Sequence, residues 1–163
     1  MSKIKTKPPA GSLTVKTEIV CPNDANPMGI LQGGRLVEWM DIAAAVCAQT
    51  HSGKICVTAS IQQVDFKAAA KIGDIVTIHA VITRAFGSSM EIFVQSYARK
   101  VLGGDRYLVS EAYLTFVAID ASGKPAKVIA VTPQNSVEEQ QYAGAMGRRQ
   151  QKLTSGIRPG SHQ

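Results

Sequence analysis

Asp41 lies inside the run GGRLVEWMDIAAAVCAQ, with Glu38 and Arg35 before it at three-residue spacing and seven small or apolar residues after it. The pattern predicts a helix from about Gly34 to His51, closed by Ser52-Gly53. A helix this apolar is expected to have protein on nearly all sides, and a carboxylate there needs a partner or a use. One carboxylate can activate a water as general base, or attack a carbonyl directly. Gly33 and Gly34 open the helix with backbone N–H groups that no side chain shields. A helix N-terminus leaves those groups unpaired and carries partial positive charge, which suits a carbonyl oxygen gaining negative charge. Taken alone, two glycines are better explained by a tight loop-to-helix turn. Asp41 lies about 10 Å of rise beyond Gly34. A partner protomer is therefore expected to complete any site that uses both.

The elements that must position these residues follow from period and punctuation. Leu13 to Val20 alternates as a strand, and CPNDANPMGILQGG is a loop. After the helix come four long β-rich stretches: Ile55 to Phe66, Ile75 to Ala85, Met90 to Val101 and Arg106 to Ile119. Their connections carry Gly, Asp and Ser, as in Gly87-Ser88-Ser89 and Gly103-Gly104-Asp105, so neighbours should pair antiparallel. Ser136-Val137-Glu138-Glu139 has the form of a capping box and starts a second helix, to about Lys152, that Gly144 and Gly147 weaken. One long apolar helix among antiparallel strands predicts an α+β hot-dog arrangement, a curved sheet wrapped around a central helix with a peripheral C-terminal helix. The expected organisation is a disordered basic tail over 1–12, one domain over 13–152 and a flexible tail over 153–163.

The chain has 163 residues and a net charge of +6. Its basicity belongs to the ends: Lys3, Lys5, Lys7, Arg148, Arg149, Lys152 and Arg158 supply +7, which leaves −1 for the body from Leu13 to Ala143. A near-neutral body without interleaved aromatics argues against nucleic acid. No apolar stretch reaches bilayer length, and no apolar signal core follows the N-terminal lysines, so neither a membrane span nor secretion is expected. Cys21, Cys47 and Cys56 lack metal-like spacing and read as reduced thiols filling apolar space in a cytoplasmic protein. His51 is expected to cap helix carbonyls, His79 has no partner at suggestive spacing, Trp39 and Met40 belong to packing, and Glu38 is expected to bridge to Arg35.

DANPMGILQGG followed by RLVEWMD resembles the acyl-CoA thioesterase family of hot-dog hydrolases, and so do VDFKAAAKIGDIV, FGSSMEIFVQSYAR and YLVSEAYLTFVAID. The resemblance runs from about Leu13 to Pro133. It implies hydrolysis of acyl-CoA to a carboxylic acid and coenzyme A at a site between two protomers. It makes Asp41 the catalytic aspartate, as base or nucleophile, and Asn26 the asparagine that a neighbouring protomer contributes. Gly34, with Gly33 beside it, would bind the thioester oxygen, and Ser88 and Ser89 would touch the pantetheine or nucleotide. It implies no cofactor, coenzyme A being part of the substrate, and a homodimer at least, with a trimer of dimers by analogy.

Gln32 stands where this family often has His or Phe, Gly87 where a basic residue is common, and Ala69 where Pro is usual. Phosphate contacts would then fall to Lys67, Arg84, Arg99, Lys100 or the Arg148-Arg149 pair, although a solvated surface charge is the favoured reading of each. Two other readings share the fold: an acyl thioester hydratase, which would want a catalytic His, and a non-catalytic acyl-CoA-binding module.

Overall fold

The computed structural model describes residues 5–155; residues 1–4 and 156–163, with Lys3 and Arg158 and the outer parts of both expected tails, lie outside the described residues. The elements run β1 (Thr6–Lys7), β2 (Thr14–Ile19), α1 (Gly33–Ser52), β3 (Ile55–Phe66), β4 (Ile75–Phe86), β5 (Ser89–Arg99), β6 (Tyr107–Ile119), β7 (Ala130–Val131) and α2 (Ser136–Ser155). Five strands form one antiparallel sheet in the order β2-β4-β5-β6-β3. This is the hot-dog arrangement that the single long helix predicts.

α1 is held to the sheet by a stripe at helical spacing: Leu36, Trp39, Met40, Ala43, Ala44, Cys47, Ala48 and His51 are all buried. Opposite it lie Val76, Ile78 and Ile82 of β4, Met90, Ile92 and Val94 of β5, and Leu114 and Phe116 of β6. The small residues in the second half of the stripe let the helix approach the strands closely. The expectation of protein on nearly all sides needs correction, because within one chain α1 keeps an open face. Ile42 is 44% exposed and Val46 46%. Gly53 closes the helix with φ of 65° and donates its N–H to Gln49, as the Gly stop signal predicts.

Burial drives the Cys47 thiol up to about 11 and also raises Cys56, which fits their role as small fillers, whereas Cys21 is exposed and fills no apolar space. His51 is buried, but its ring does not cap its own helix. Nε2 bonds the carbonyl oxygen of Ile129 at 2.8 Å, while Lys7 donates to the His51 carbonyl oxygen. Part of the expected N-terminal tail is therefore structured: Thr6–Lys7 pairs in parallel with Ala130–Val131, and Pro9–Gly11 forms a 3-10 turn. These contacts strap the C-terminal end of α1.

α2 crosses the other face of the sheet. Its start is one residue displaced from the expected capping box: Asn135 accepts the Glu138 N–H, and Glu138 accepts the Gln134 N–H. Arg148 pins it. Its guanidinium donates from Nε and Nη2 to Glu91, 2.7 Å at the shortest, and from Nη2 to the Gln141 carbonyl oxygen. Thr83 donates to the same carboxylate from a bulge in β4. Among the described residues no helix is long and apolar enough to cross a membrane.

The two helical glycines differ in consequence. A Cβ on Gly144 would stand 2.7 Å from Arg148 Nη1, whereas one on Gly147 would meet nothing within 4 Å. Gly147→Ala should stabilise the protein by about 0.5–1 kcal/mol, the usual helical gain over glycine. Gly144→Ala should gain less or lose, because Arg148 is tied to Glu91. Urea unfolding midpoints of the two variants check this order.

Candidate functional site

Asp41 sits half-buried in the third turn of α1, and its Oδ1 accepts the Thr58 hydroxyl at 2.7 Å. Thr58 lies on β3 opposite the buried Phe116, so it points to the helix side of the sheet, as Cys56 does opposite Ala118. A bulge at Ala59 follows, and Ser60 turns to α2, where it accepts from Lys152. The available signal for Thr58 was a hydroxyl at an inward position of a strand, seventeen residues beyond Asp41. Only the fold brings the two together.

The other candidates gather at the start of α1, two turns before Asp41. Gln32 precedes the helix but does not cap it; its Nε2 donates instead to the Ala25 carbonyl oxygen at 3.0 Å. The first helical bond is made by the Leu36 N–H, so the N–H groups of Gly33, Gly34 and Arg35 have no acceptor among the described residues. Arg35 bridges to Glu38 at 3.2 Å, as expected, and also to Asp24 at 2.8 Å. Asn26 is half-buried in the preceding loop. Its Oδ1 accepts the N–H groups of Met28 and Ile30, and its Nδ2 has no partner among the described residues. Asn26 therefore offers a donor. A cavity of about 380 Å³ opens beside this end, lined by Leu31, Gly33, Leu36, Phe66, Ala70 and Val109.

One chain keeps the two groups apart. Phe66 stands against Gly33, Thr58 stands against Asp41, and these two β3 residues are eight positions apart along the strand. Ser88 and Ser89 lie at the Asp41 end, in the tight β4–β5 turn that Gly87 enters with φ of 62°. Ser89 pairs with Val117, next to the Phe116 that faces Thr58, and its hydroxyl accepts from Arg149 at 3.1 Å. It lines a second cavity of about 200 Å³ under α2, with Phe86, Glu91 and Arg149.

The basic candidates divide. Arg84 stacks on Tyr142 near the serine turn, 4.1 Å from the ring centroid. Arg99, at the far end of β5, and Lys100 just beyond it lie roughly 35 Å from Ser89 at about 3.4 Å per residue. Lys100 pairs with Asp74 there. Lys67 pairs loosely with Glu111 at 3.9 Å and lines the larger cavity. Arg148 is committed to Glu91 and Gln141, which leaves it poorly placed for the phosphate role that the resemblance suggested. Arg149, beside Ser89, is the better placed of that pair.

Residues 28–103 match the model of the thioesterase superfamily. An acyl-CoA thioester hydrolase of Bacillus subtilis named YkhA, itself uncharacterised, is 38% identical over 127 residues, 78% of this chain and 74% of the relative. The chain belongs to the thioesterase superfamily. Among solved structures, a hexameric acyl-CoA thioesterase in its apo form superposes with a TM-score of 0.90 at 37% identity, over 95% of this chain and 100% of that one. The acyl-CoA hydrolase of Staphylococcus aureus, solved with butyryl-coenzyme A, coenzyme A and coenzyme A disulfide, gives 0.87 at 37% identity, over 92% of each chain. That hydrolase has also been solved with an aspartate, a threonine or an asparagine changed to alanine. The match to the acetyl-coenzyme A thioesterase of Mus musculus, 35% identical over 84% of this chain, spans about a quarter of that longer protein.

The two helix-start glycines differ within the chain. A Cβ on Gly33 would lie 3.1 Å from the Phe66 ring, whereas one on Gly34 would meet nothing within 4 Å. Gly34→Ala should therefore be at least as stable as the parent, and Gly33→Ala less stable than Gly34→Ala, by about 1 kcal/mol where the ring is displaced. Urea denaturation of both variants tests this.

Proposed function

We propose that this protein hydrolyses acyl-CoA thioesters at a site formed by two protomers, with Asp41 and Thr58 from one and Asn26, Gly33 and Gly34 from the other. The observation that carries the proposal is the Asp41–Thr58 bond, set two turns along α1 from the unpaired glycine N–H groups. Support also comes from the superfamily and from the S. aureus hydrolase, solved with coenzyme A ligands and with alanine in place of an aspartate, a threonine or an asparagine. A two-fold pairing supplies the geometry. β3 is a long edge strand with Ile55 67% and Phe66 56% exposed, and α1 leaves Ile42 and Val46 open on its free face. Two copies paired antiparallel through β3 would bring the Thr58 end of one against the Phe66 end of the other. A hexamer, as a trimer of such dimers, follows by analogy with the relatives solved as hexamers.

The chemistry follows from the donors. The Thr58 hydroxyl holds Oδ1 of Asp41, which leaves Oδ2 to take a proton from water. The water oxygen bonds to the thioester carbon, and the carbonyl oxygen takes up charge facing the Gly33 and Gly34 N–H groups. The C–S bond then breaks. The thiolate of coenzyme A leaves and receives a proton, and the acid is released. Asn26 contributes its Nδ2–H to the carbonyl oxygen or to the attacking water, because its own oxygen already serves the loop. Direct attack by Asp41, giving an anhydride that water opens, uses the same contacts. Coenzyme A enters only as part of the substrate. Ser88, Ser89, Arg84 and Arg149 border its nucleotide end, and Lys67 lies at the other group.

Free-thiol release from acyl-CoAs of graded chain length tests the reading. The parent should release coenzyme A, and Asp41→Ala should lower kcat by about 10²–10⁴. Thr58→Ala should lower it roughly tenfold, with most of the rate kept in Thr58→Ser. Tight acyl-CoA binding with no release would instead establish a binding module, and a hydrated product a hydratase.

A further inference from the structure

The hydrolytic reading leaves one ion pair unused. Asp24 is 4% exposed and ends the 3-10 turn Pro22–Asp24, two residues before Asn26. Its Oδ2 accepts the Cys21 N–H at 2.9 Å, and its Oδ1 accepts the Arg35 Nε–H at 2.8 Å. The Cys21 N–H, with Arg35 beside it, holds this carboxyl below the usual carboxylate range against the effect of burial. Arg35 belongs to the first turn of α1, where the helix dipole disfavours a cation. A residue that breaks a local rule and has a buried partner is answering a demand elsewhere.

What the pair joins identifies the demand. On one side is the loop that carries Asn26; on the other is the turn that presents the glycine N–H groups. Two further bonds cross the same gap: the Gln32 N–H donates to the Asp24 carbonyl oxygen at 2.9 Å, and Gln32 Nε2 donates to that of Ala25 at 3.0 Å. Arg35 is steadied in turn by Glu38 and lies 6.0 Å from the centroid of Trp39.

We propose that Asp24, acting through Arg35, is a positioning residue that locks the Asn26 loop to the first turn of α1, so that the Asn26 amide and the glycine N–H groups keep one fixed spacing. Its effect on turnover rests on the hydrolytic reading; the lock itself rests on the geometry alone. Donors aimed before the reaction are worth far more than donors that must be gathered during it, and a shift of about 1 Å forfeits much of the gain.

Arg35→Met, Asn26→Ala and the double variant of the full chain form the test. Arg35→Met should lower kcat roughly tenfold or more and change KM by less than about threefold. In the Asn26→Ala background the same change should cost less than about twofold, since the lock then has nothing to aim. Arg35→Lys, which can still reach Asp24, should recover part of the rate. Amide hydrogen exchange gives a reading independent of activity: the Met28 and Ile30 N–H groups, which donate to Asn26 Oδ1, should exchange about fivefold faster or more in Arg35→Met. Unchanged exchange there would overturn the lock, even if the parent hydrolyses no acyl-CoA. Equal losses of kcat with and without Asn26 would overturn its role in turnover.

Discussion

Everything in this fold depends on α1 being pressed against the sheet. Ala43, Ala44, Cys47 and Ala48 are fully or almost fully buried, and larger side chains at these positions would hold the helix off β4 and β5. Close packing makes α1 a rigid rod of known length. The N–H donors at its start and the carboxylate two turns on are then fixed relative to each other. About 10 Å of helix rise separates them.

That separation gives meaning to surfaces that a single chain leaves unfinished. The free face of α1 and the long edge of β3 are both apolar and both open. Thr58, against Asp41, and Phe66, against the helix start, stand eight positions apart on β3, so the proposed two-fold pairing through that strand would join the two unlike groups twice. The bulge at Ala59 belongs to this scheme. It lets one strand offer Thr58 to the helix and, after a single extra residue, Ser60 to α2.

Much of this was legible in the sequence. The apolar run of the central helix, the alternation of the strands and the Gly stop at Gly53 are local signals, and local signals survive without a fold. The open face of α1 was not legible, because an apolar residue reads the same whether its own chain or a copy covers it. Thr58 was missed because its importance comes from a contact with Asp41 across seventeen residues of chain. The Arg148–Glu91 pair spans fifty-seven residues and was missed for the same reason, so Arg148 looked available for a phosphate. The expected disordered tail over 1–12 failed in part because a two-residue strand needs only one partner, and Ala130–Val131 lies far away in sequence.

If each site takes its donors from one protomer and its carboxylate from another, two chains with different lesions should complement each other. Mixing two impaired variants measures that complementation. Asn26→Ala and Asp41→Ala chains are unfolded together, refolded at equal amounts, and assayed for thiol release from acyl-CoA. In a mixed dimer both lesions fall in one site and the other site is intact. Random pairing should therefore restore about a quarter of the parent activity. A mixture that exchanges subunits yet stays as impaired as either variant alone would rule out a site shared between protomers.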